Sequence, residues 1–390
     1  MDRRDVLKCL AAAPLAAMAT RLYGAPAADA QLLVVFMRGG YDAANLLVPI
    51  SSADYYEARP NIAVPRPGSA PDAAIALDAD WGLHPALRDS ILPLYRRGEA
   101  AFVPFAGIED LTRSHFETQD SIELGQPLTG TRNFRSGFLN RLAGVVAGSR
   151  AISFTSQVPI VFRGGIEVPN VALKFVGKPG VDARQASVIT SMYEQSPLRA
   201  QVADGIAVRD AVMSEMEAAS RDAVSAQGFE LEARRIAQLM RERYTLGFVD
   251  VGGWDTHVGE GGATGQLAAR LDQLGKGLAA YAAELGAAWR NTTVVVVSEF
   301  GRTFRENGNR GTDHGHGTVY WILGGAVHGG RIVGDQVVVR RDTLFQNRDY
   351  PVMNEYRALF AGLFQRLYGL SAAQLEQVFM GVTPKDHGLV

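Results

Sequence analysis

Cysteine is almost absent from this chain of 390 residues. Cys9 is the only one, and it lies among the first 30 residues. A lone thiol cannot form an intramolecular disulfide or a thiolate metal cluster. We predict below that its segment is removed, which also excludes a cysteine nucleophile in the mature protein. Any chemistry must therefore rest on hydroxyl, carboxylate, imidazole and guanidinium groups.

An excess of positive charge is also missing. The chain has 39 basic and 41 acidic residues, and its first 30 residues hold four of the former and three of the latter, so the remainder carries a net charge of −3. Such a balance excludes a basic field for nucleic acid. Long apolar runs are lacking too: the stretch from Leu10 to Met18 is too short to span a bilayer. We expect neither a nucleic-acid partner nor a membrane span.

The first 30 residues have the pattern of an export signal. Arg3 and Arg4 precede a modest apolar stretch, and a small-residue cleavage site, Ala28-Asp29-Ala30, follows it. This order is typical of twin-arginine signals. We predict that the twin-arginine machinery exports the precursor, and that the mature protein begins near Gln31 and is periplasmic or secreted. The alternative is a short amphipathic helix that stays attached.

Residues 31–390 predict a single α/β domain. Apolar segments alternate with helical ones, and 47% hydrophobic residues suffice for a large core. This alternation favours a three-layer α/β/α architecture with a mostly parallel central sheet. Short apolar runs at 152–154, 158–162 and 171–176, separated by Gly and Pro turns, indicate a small subsidiary β element at residues 150–190, and we take 150–195 as a candidate insertion. The pattern from Pro197 to about Arg243 predicts helix. The main strands are expected at residues 32–37, 101–105, 246–251, 294–297, 319–323 and 332–339.

The most informative segment runs from Val294 to Gly317. Four consecutive valines indicate a strand buried on both faces of a sheet. The strand stops at Glu299, and the loop after it holds Asp313, His314 and His316. This loop therefore contains two of the seven histidines in the chain. In open α/β sheets, ligands bind beyond the carboxyl ends of the strands. We therefore expect the chemistry here.

A second acid and imidazole pair, Asp255 and His257, follows the predicted strand at 246–251. Each candidate also has a structural interpretation. This pair could form only an Asx-type turn with a surface imidazole. Glu299 could be a salt-bridge partner of Arg302. His115 could be a ligand or bond a loop carbonyl, and Ser114 could be a helix cap.

The motifs resemble those of the exported bacterial proteins grouped as DUF1501, a domain of unknown function within the alkaline phosphatase-like superfamily. They occur in the family's order over nearly the whole mature chain. The matching stretches are VVFMRGGYDAANLLVP (34–49), GLHPAL (82–87), TRSHFETQDSIELG (112–125), SGFLNRLAG (136–144), GGWDTH (252–257), SEFGRT (298–303), GTDHGHG (311–317) and LGGAVHGGRIVG (323–334).

The resemblance implies a two-metal site at the carboxyl ends of parallel strands. It assigns the first-strand acid to Asp42 and the nucleophile to Ser114 or Thr112 at a helix start. The metal ligands that it implies, with the neighbouring polar residues, are Asp42, His115, Asp255, His257, Glu299, Asp313, His314 and His316. Carboxylates and imidazoles suit Zn, Mn, Mg or Fe ions.

The chain also departs from the superfamily pattern. Phe300 stands where a strand-end histidine is expected, and the sulfatase nucleophile motif is missing. A standard sulfatase mechanism is therefore disfavoured, and the departures favour a harder, oxygen-rich site, a single metal ion or none. Arg38, Arg113 and Arg302 lie beside candidate ligands and could grip an anionic group as bidentate forks.

Two function classes follow. The first is an exported metal-dependent hydrolase of phosphate esters, or less favourably sulfate esters, acting on a small-molecule or polymer substrate. The second is a catalytically weakened relative that binds an anionic polymer or an exported partner protein, as Phe300 suggests.

Overall fold

The computed structural model describes residues 30–173, 183–207 and 228–390. The predicted export signal therefore lies outside the described residues, apart from Ala30. So do residues 208–227 of the stretch that the sequence predicts to be helical between 197 and 243, and the end of a strand predicted at 171–176. Among the described residues, none of the helices combines the length and apolar character needed to cross a bilayer.

The central sheet has eight strands and is mixed but mostly parallel. Its strands are β1 (Gln31–Arg38), β5 (Ala100–Gly107), β6 (Ala151–Ser153), β7 (Leu246–Gly252), β8 (Thr292–Ser298), β9 (Thr318–Gly324), β10 (Arg331–Ile332) and β11 (Asn354–Glu355). In spatial order its path is β10, β5, β9, β8, β1, β7 and β6, and β11 also pairs with β5. β9 runs antiparallel to both of its neighbours, whereas the other pairings within this sheet are parallel.

Helices cover both faces of this sheet, which confirms the predicted three-layer α/β/α class. Along β1, Leu33, Val35 and Met37 belong to one apolar core, and the alternate residues belong to the other. This follows from the two-residue side-chain period of a strand. The helices are α1 (Ala43–Leu46), α2 (Ala53–Ala58), α3 (Ile91–Arg96), α4 (His115–Leu124), α5 (Phe138–Val145), α6 (Ala183–Met192), α7 (Phe229–Glu242), α8 (Gln266–Leu285), α9 (Tyr356–Tyr368) and α10 (Ala372–Val378).

The small β element exists but lies elsewhere than predicted. A three-stranded antiparallel sheet is formed by β2 (Leu47–Pro49), β3 (Ile75–Ala76) and β4 (Trp81–Leu83). Within 150–173, β6 joins the main sheet, and Ile160–Phe162 is a 3-10 turn rather than a strand. The strand predicted at 332–339 is formed only at Arg331–Ile332. Short apolar runs do not by themselves distinguish strands from turns.

Candidate metal centre

Four loops meet at one edge of the main sheet. β1, β5, β7 and β8 end there, and β9 begins there because it runs antiparallel to β8 and β5. The segment after β5 leads to His115 at the first position of α4. The remaining loops carry Asp255 and His257 after β7, Glu299 after β8, and His314 before β9.

A glycine permits the β1 and β7 loops to approach each other. Gly39 adopts φ +129°, and a Cβ at this position would lie 2.7 Å from the backbone nitrogen of Asp255. Any side chain here would clash with that backbone, and the positive φ also disfavours L-residues. Gly39 therefore lets the loop that carries Asp255 pack directly on the end of β1.

Three imidazoles surround the carboxylate of Asp255 with their Nε2 atoms. The distances to its oxygens are 3.5 Å from His115, 2.9 Å from His257 and 3.3 Å from His314. The Nε2 atoms of His257 and His314 are 3.1 Å apart. The donor atoms of His115, Asp255 and His314 all lie within 4.8 Å of one another. This arrangement of three nitrogens and one carboxylate is the polar centre of the edge.

Each imidazole meets an acceptor through its other nitrogen. The Nδ1 atom of His115 is 2.8 Å from Glu299 Oε1, that of His314 is 2.9 Å from the carbonyl of Arg113, and that of His257 is 3.2 Å from Asp313 Oδ1. Since a carboxylate or carbonyl oxygen can only accept, we place the proton on each Nδ1. Each Nε2 lone pair is then directed at the centre.

Glu299 is buried behind His115 and holds its ring. Its Oε1 accepts from the backbone N–H of Gly39 and from Gln119 Nε2, each at 2.8 Å, as well as from His115. Its Oε2 accepts from Ser298 Oγ at 2.9 Å. Burial works against its charge, but the bonds from His115 and Gln119 outweigh burial and keep the pKa of Glu299 below its ordinary value. The carboxylate in turn raises the pKa of His115.

The structure differs from the surface-turn interpretation of Asp255 and His257 and from the salt-bridge interpretation of Glu299. Asp255 and His257 face each other and the other imidazoles, so they are more than an isolated turn. Glu299 bonds to His115 rather than to Arg302. Arg302 instead bonds to Asp255, and although burial opposes it, this contact holds the pKa of Asp255 below its usual range.

The guanidinium of Arg302 lies beneath the cluster and is completely buried. It donates to the carbonyls of Gly39, Gly40 and Thr312. These bonds join the β1 loop to the loop that precedes β9. Arg302 therefore fixes the floor of the centre, beside the Asp255 carboxylate that it neutralises in part.

Asp42, the predicted first-strand ligand, lies at the same edge but is engaged elsewhere. Its two oxygens accept from the Arg59 guanidinium, and Oδ1 also accepts from the N–H of Ala44. Both side chains are essentially inaccessible to solvent. An unpaired buried carboxylate is very unfavourable, and Arg59 supplies the compensating charge. Asp255, Glu299 and His314 are brought together as predicted, whereas the oxygens of Asp42 face Arg59.

The start of α4 holds the predicted hydroxyl groups. Ser114 is the N-cap residue of α4, yet its hydroxyl forms no capping bond. Thr112 Oγ1 instead accepts from the backbone N–H of Ser114 at 3.3 Å and lies 3.4 Å from Thr118 Oγ1. Of the two candidates, Ser114 has the less engaged hydroxyl.

Arg113 acts through its backbone as much as through its side chain. Its φ of +52° is in the left-handed region, which directs its carbonyl at His314. Its guanidinium binds the buried carboxylate of Asp349 at 2.8 Å and Gln346 at 2.9 Å. The side chain predicted to grip an anion is therefore occupied with anchoring the loop.

His316 lies apart from the cluster. Its ring packs on Phe345 with centroids 4.9 Å apart, and its Nε2 is 3.6 Å from Glu109. Burial lowers the pKa of His316.

Phe300 packs within the centre, with ring centroids 5.0 Å from His115 and 5.1 Å from His314. Sequence reasoning did not identify three outer hydrogen-bond partners, because no motif marks them. Gln119 donates to Glu299, Asn307 donates to Asp313, and Glu260 accepts from Thr256 and Thr312.

A family model covers nearly all of the described fold. The family described as "Protein of unknown function (DUF1501)" matches residues 29–379. The chain belongs to the DUF1501 family. No curated protein has a matching sequence.

Solved structures also resemble this DUF1501 protein. Two are crystal structures of Ps i-CgsB, one of them in complex with k-i-k-neocarrahexaose; they are 10–11% identical, with TM-scores of 0.38 and 0.39, and cover 89–91% of this chain and 74–75% of their own. A third is a protein in the alkaline phosphatase superfamily from Vibrio parahaemolyticus, 10% identical with a TM-score of 0.34, covering 77% of this chain and 62% of its own.

Proposed function

We propose that this protein is an exported hydrolase of anionic esters, phosphate esters foremost, that depends on one divalent metal ion. The observation that carries the proposal is the convergence of three imidazole Nε2 atoms on the carboxylate of Asp255. Ligand atoms bound to one ion at about 2.0–2.1 Å lie roughly 3–3.5 Å from each other. The observed separations of 2.9–3.5 Å between the Nε2 atoms and the Asp255 oxygens fit this spacing.

The donor set agrees with this proposal. His115 Nε2 is buried and has no hydrogen-bond partner, so no donor of the described residues engages its lone pair. Burial lowers the pKa of His314, which favours the neutral form that a metal requires. Nitrogen-rich ligands with one carboxylate suit Zn, Mn or Fe better than Mg. His115, His257 and His314 with Asp255 would hold the ion.

The number of ions differs from what the superfamily resemblance implies. Asp42 and Glu299 carry the charges that a second ion would need, but Arg59 engages the first, and four donors engage the second. Among the described residues, one group of donor atoms is close enough to share an ion, that of His115, Asp255 and His314. His257 Nε2 lies beside this group, 2.9 Å from Asp255 Oδ1 and 3.1 Å from His314 Nε2. We therefore propose a single-ion centre in which Glu299 and Asp313 orient the ligands.

The charge of such a centre favours an anionic substrate. A divalent ion beside the Arg302 guanidinium would be only partly neutralised by Asp255. The resulting positive field would attract phosphate or sulfate groups, and a bound divalent ion stabilises negative charge that develops on an ester oxygen. Phosphate esters hydrolyse extremely slowly without catalysis, so this stabilisation is what a hydrolase must supply.

Ser114 is the proposed nucleophile. It directly precedes the ligand His115 and stands at the N-terminus of the ten-residue helix α4, where backbone N–H groups favour a developing negative charge. Its hydroxyl is not used as a cap, and Thr112 would assist by accepting from the Ser114 N–H.

A binding protein without catalysis is the second candidate. Two observations favour it: Phe300 packs on His115 and His314, and Arg302 already places a cation against Asp255. In that case the centre would bind an anionic polymer or an exported partner without hydrolysis.

Metal analysis of the purified protein separates the two candidates. We would remove metal with a chelator, titrate Zn, Mn, Fe(II) and Mg by calorimetry, and assay aryl phosphate mono- and diesters with each ion. His314→Ala and His115→Ala should abolish tight binding, whereas His328→Ala, at an exposed position, should not. A wild-type protein that binds no divalent ion and hydrolyses no ester would contradict the proposed function.

A further inference from the structure

Glu260 lies between the two loops that carry the ligands. It is completely buried and follows His257 by three residues. Its Oε2 accepts from Thr256 Oγ1 at 2.9 Å and from Thr312 Oγ1 at 2.7 Å. Thr256 separates Asp255 from His257, and Thr312 directly precedes Asp313. One carboxyl oxygen therefore joins both ligand loops.

Backbone bonds bring the same two loops together, so Glu260 sits at an established junction. The N–H of Thr312 donates to the carbonyl of Thr256 at 3.1 Å, and the N–H of Glu260 donates to the carbonyl of Arg310 at 2.9 Å. Both threonines are buried. A shift of Thr256 would move Asp255 or His257, and a shift of Thr312 would move Asp313, whose carboxylate holds the ring of His257. Only one peptide unit separates each threonine from these neighbours.

Glu260 also neighbours a second buried acid, Asp42. Its Oε1 is buried and accepts no bond from an N–H or O–H group, and Asp42 is its charged neighbour. Two buried carboxylates in contact share a proton. Burial and the charge of Asp42 raise the pKa of Glu260 well above its ordinary value, and Arg59 holds the pKa of Asp42 low despite burial. These opposite directions favour the neutral form of Glu260 beside a charged Asp42.

We propose that Glu260 is a positioning residue for the metal centre, joining the Asp255–His257 loop to the Thr312–His314 loop and linking both to Asp42 and Arg59. This inference rests on the proposed function for the metal and on the described contacts for the junction. Arg59 extends the connection to the loop that carries Glu299, since it donates to the carbonyls of Thr303 and Phe304 at 3.0 and 2.7 Å.

The geometry identifies a conservative variant. In Glu260→Gln, the amide oxygen would accept from both threonines, and the amide NH₂ would donate to Asp42. In Glu260→Leu, a side chain of similar size keeps the packing but makes none of these bonds. Thr312→Val removes a single bond. Thr293→Val is a matched control, because Thr293 is a buried threonine at the opposite end of β8.

The experiment compares metal affinity in these four full-length variants by calorimetry. Groups that orient metal ligands typically change affinity about 10–100-fold when lost. We expect Glu260→Gln and Thr293→Val to bind like the wild type, Glu260→Leu to bind at least tenfold more weakly, and Thr312→Val to lie between. Wild-type affinity in Glu260→Leu would overturn the inference, and so would an equal loss in Glu260→Gln.

A second measurement does not depend on metal binding. Amide hydrogen exchange of the metal-free protein should be faster in peptides covering 253–260 and 311–316 of Glu260→Leu, and unchanged in Glu260→Gln and Thr293→Val. If the wild type binds no metal, the proposed function fails, while this measurement still tests the junction. If Glu260→Leu does not fold, Thr312→Val must show faster exchange in both peptides, and unchanged exchange there would refute the inference.

Discussion

His115 Nδ1 lies 2.8 Å from Glu299 Oε1, although 184 residues separate the two along the chain. Donors from the backbone and from other side chains engage both oxygens of the Glu299 carboxylate, so neither oxygen faces the centre as a ligand. The contact therefore orients an imidazole rather than supplying a ligand. Carboxylate–histidine–metal arrangements of this kind fix the tautomer and raise the basicity of the ligand.

Glu299→Gln tests this relationship. The amide oxygen can still accept hydrogen bonds, but it lacks the charge that holds the His115 proton on Nδ1. We expect metal affinity to fall on the order of 10–100-fold, measured by calorimetry with the ion that the wild type binds most tightly. Glu117→Gln, an exposed change on the same helix, is the control. Unchanged affinity in Glu299→Gln would mean that His115 is not a ligand.

Ser114→Ala tests the nucleophile. The hydroxyl makes no capping bond, so removing it should change the free energy of unfolding by less than about 0.5 kcal/mol and leave metal content intact. Turnover of an aryl phosphate should disappear. Thr112→Ala, assayed in parallel, should retain turnover in part. If Ser114→Ala costs about 1 kcal/mol and turnover stays within a few-fold, Ser114 is only a helix cap.

Arg59→Met tests the buried pair formed by Asp42 and Arg59. Removing Arg59 leaves the Asp42 carboxylate buried without a compensating charge. We therefore expect the free energy of unfolding to fall by about 3–5 kcal/mol. Chemical denaturation at neutral pH measures it. Arg66→Met is the control, because Arg66 packs over Tyr56 at the surface. We expect it to lower the free energy of unfolding by well under half of the loss expected for Arg59→Met. Similar losses in both variants would show that the Asp42–Arg59 pair is not special.

The pH dependence of stability should reveal the protonated state of Glu260. Burial and the charge of Asp42 raise the pKa of Glu260 in the folded protein. The stability that the protonated side chain contributes is therefore fully present below the unfolded pKa of about 4.3, and it is lost as pH rises through the folded pKa. Glu260→Gln has no proton to lose. We expect the variant to become more stable than the wild type as pH rises above about 5, by denaturation at several pH values. Parallel pH profiles would refute a neutral Glu260.

The export prediction concerns Arg3 and Arg4, outside the described residues. Replacing both by lysine should leave the precursor in the cytoplasm with residues 1–30 attached, because twin-arginine recognition depends on the arginine pair. Fractionation and intact mass of the recovered protein measure this outcome. Periplasmic, processed protein from the double variant would remove the export argument.

The sequence by itself determined the α/β class and most of the residues of the candidate centre. The valine run of β8 could only be a buried strand, and the acids and histidines that follow β7 and β8 had to emerge at the carboxyl edge of a parallel sheet. His115, Asp255, His257 and His314 were all predicted on this basis or by resemblance, and the structure brings them within contact of one another.

Tertiary structure decided which carboxylate faces the centre. Asp42, Asp255 and Glu299 all follow strand ends, and sequence position cannot tell them apart. Arg59, directly after α2, neutralises Asp42. Gln119 and the N–H of Gly39 bond to Glu299. Asp255 is therefore the carboxylate that meets the three imidazoles. These partners lie far apart in the chain, and the charge and hydrogen-bond demands of a buried carboxylate are met only once the loops are packed together.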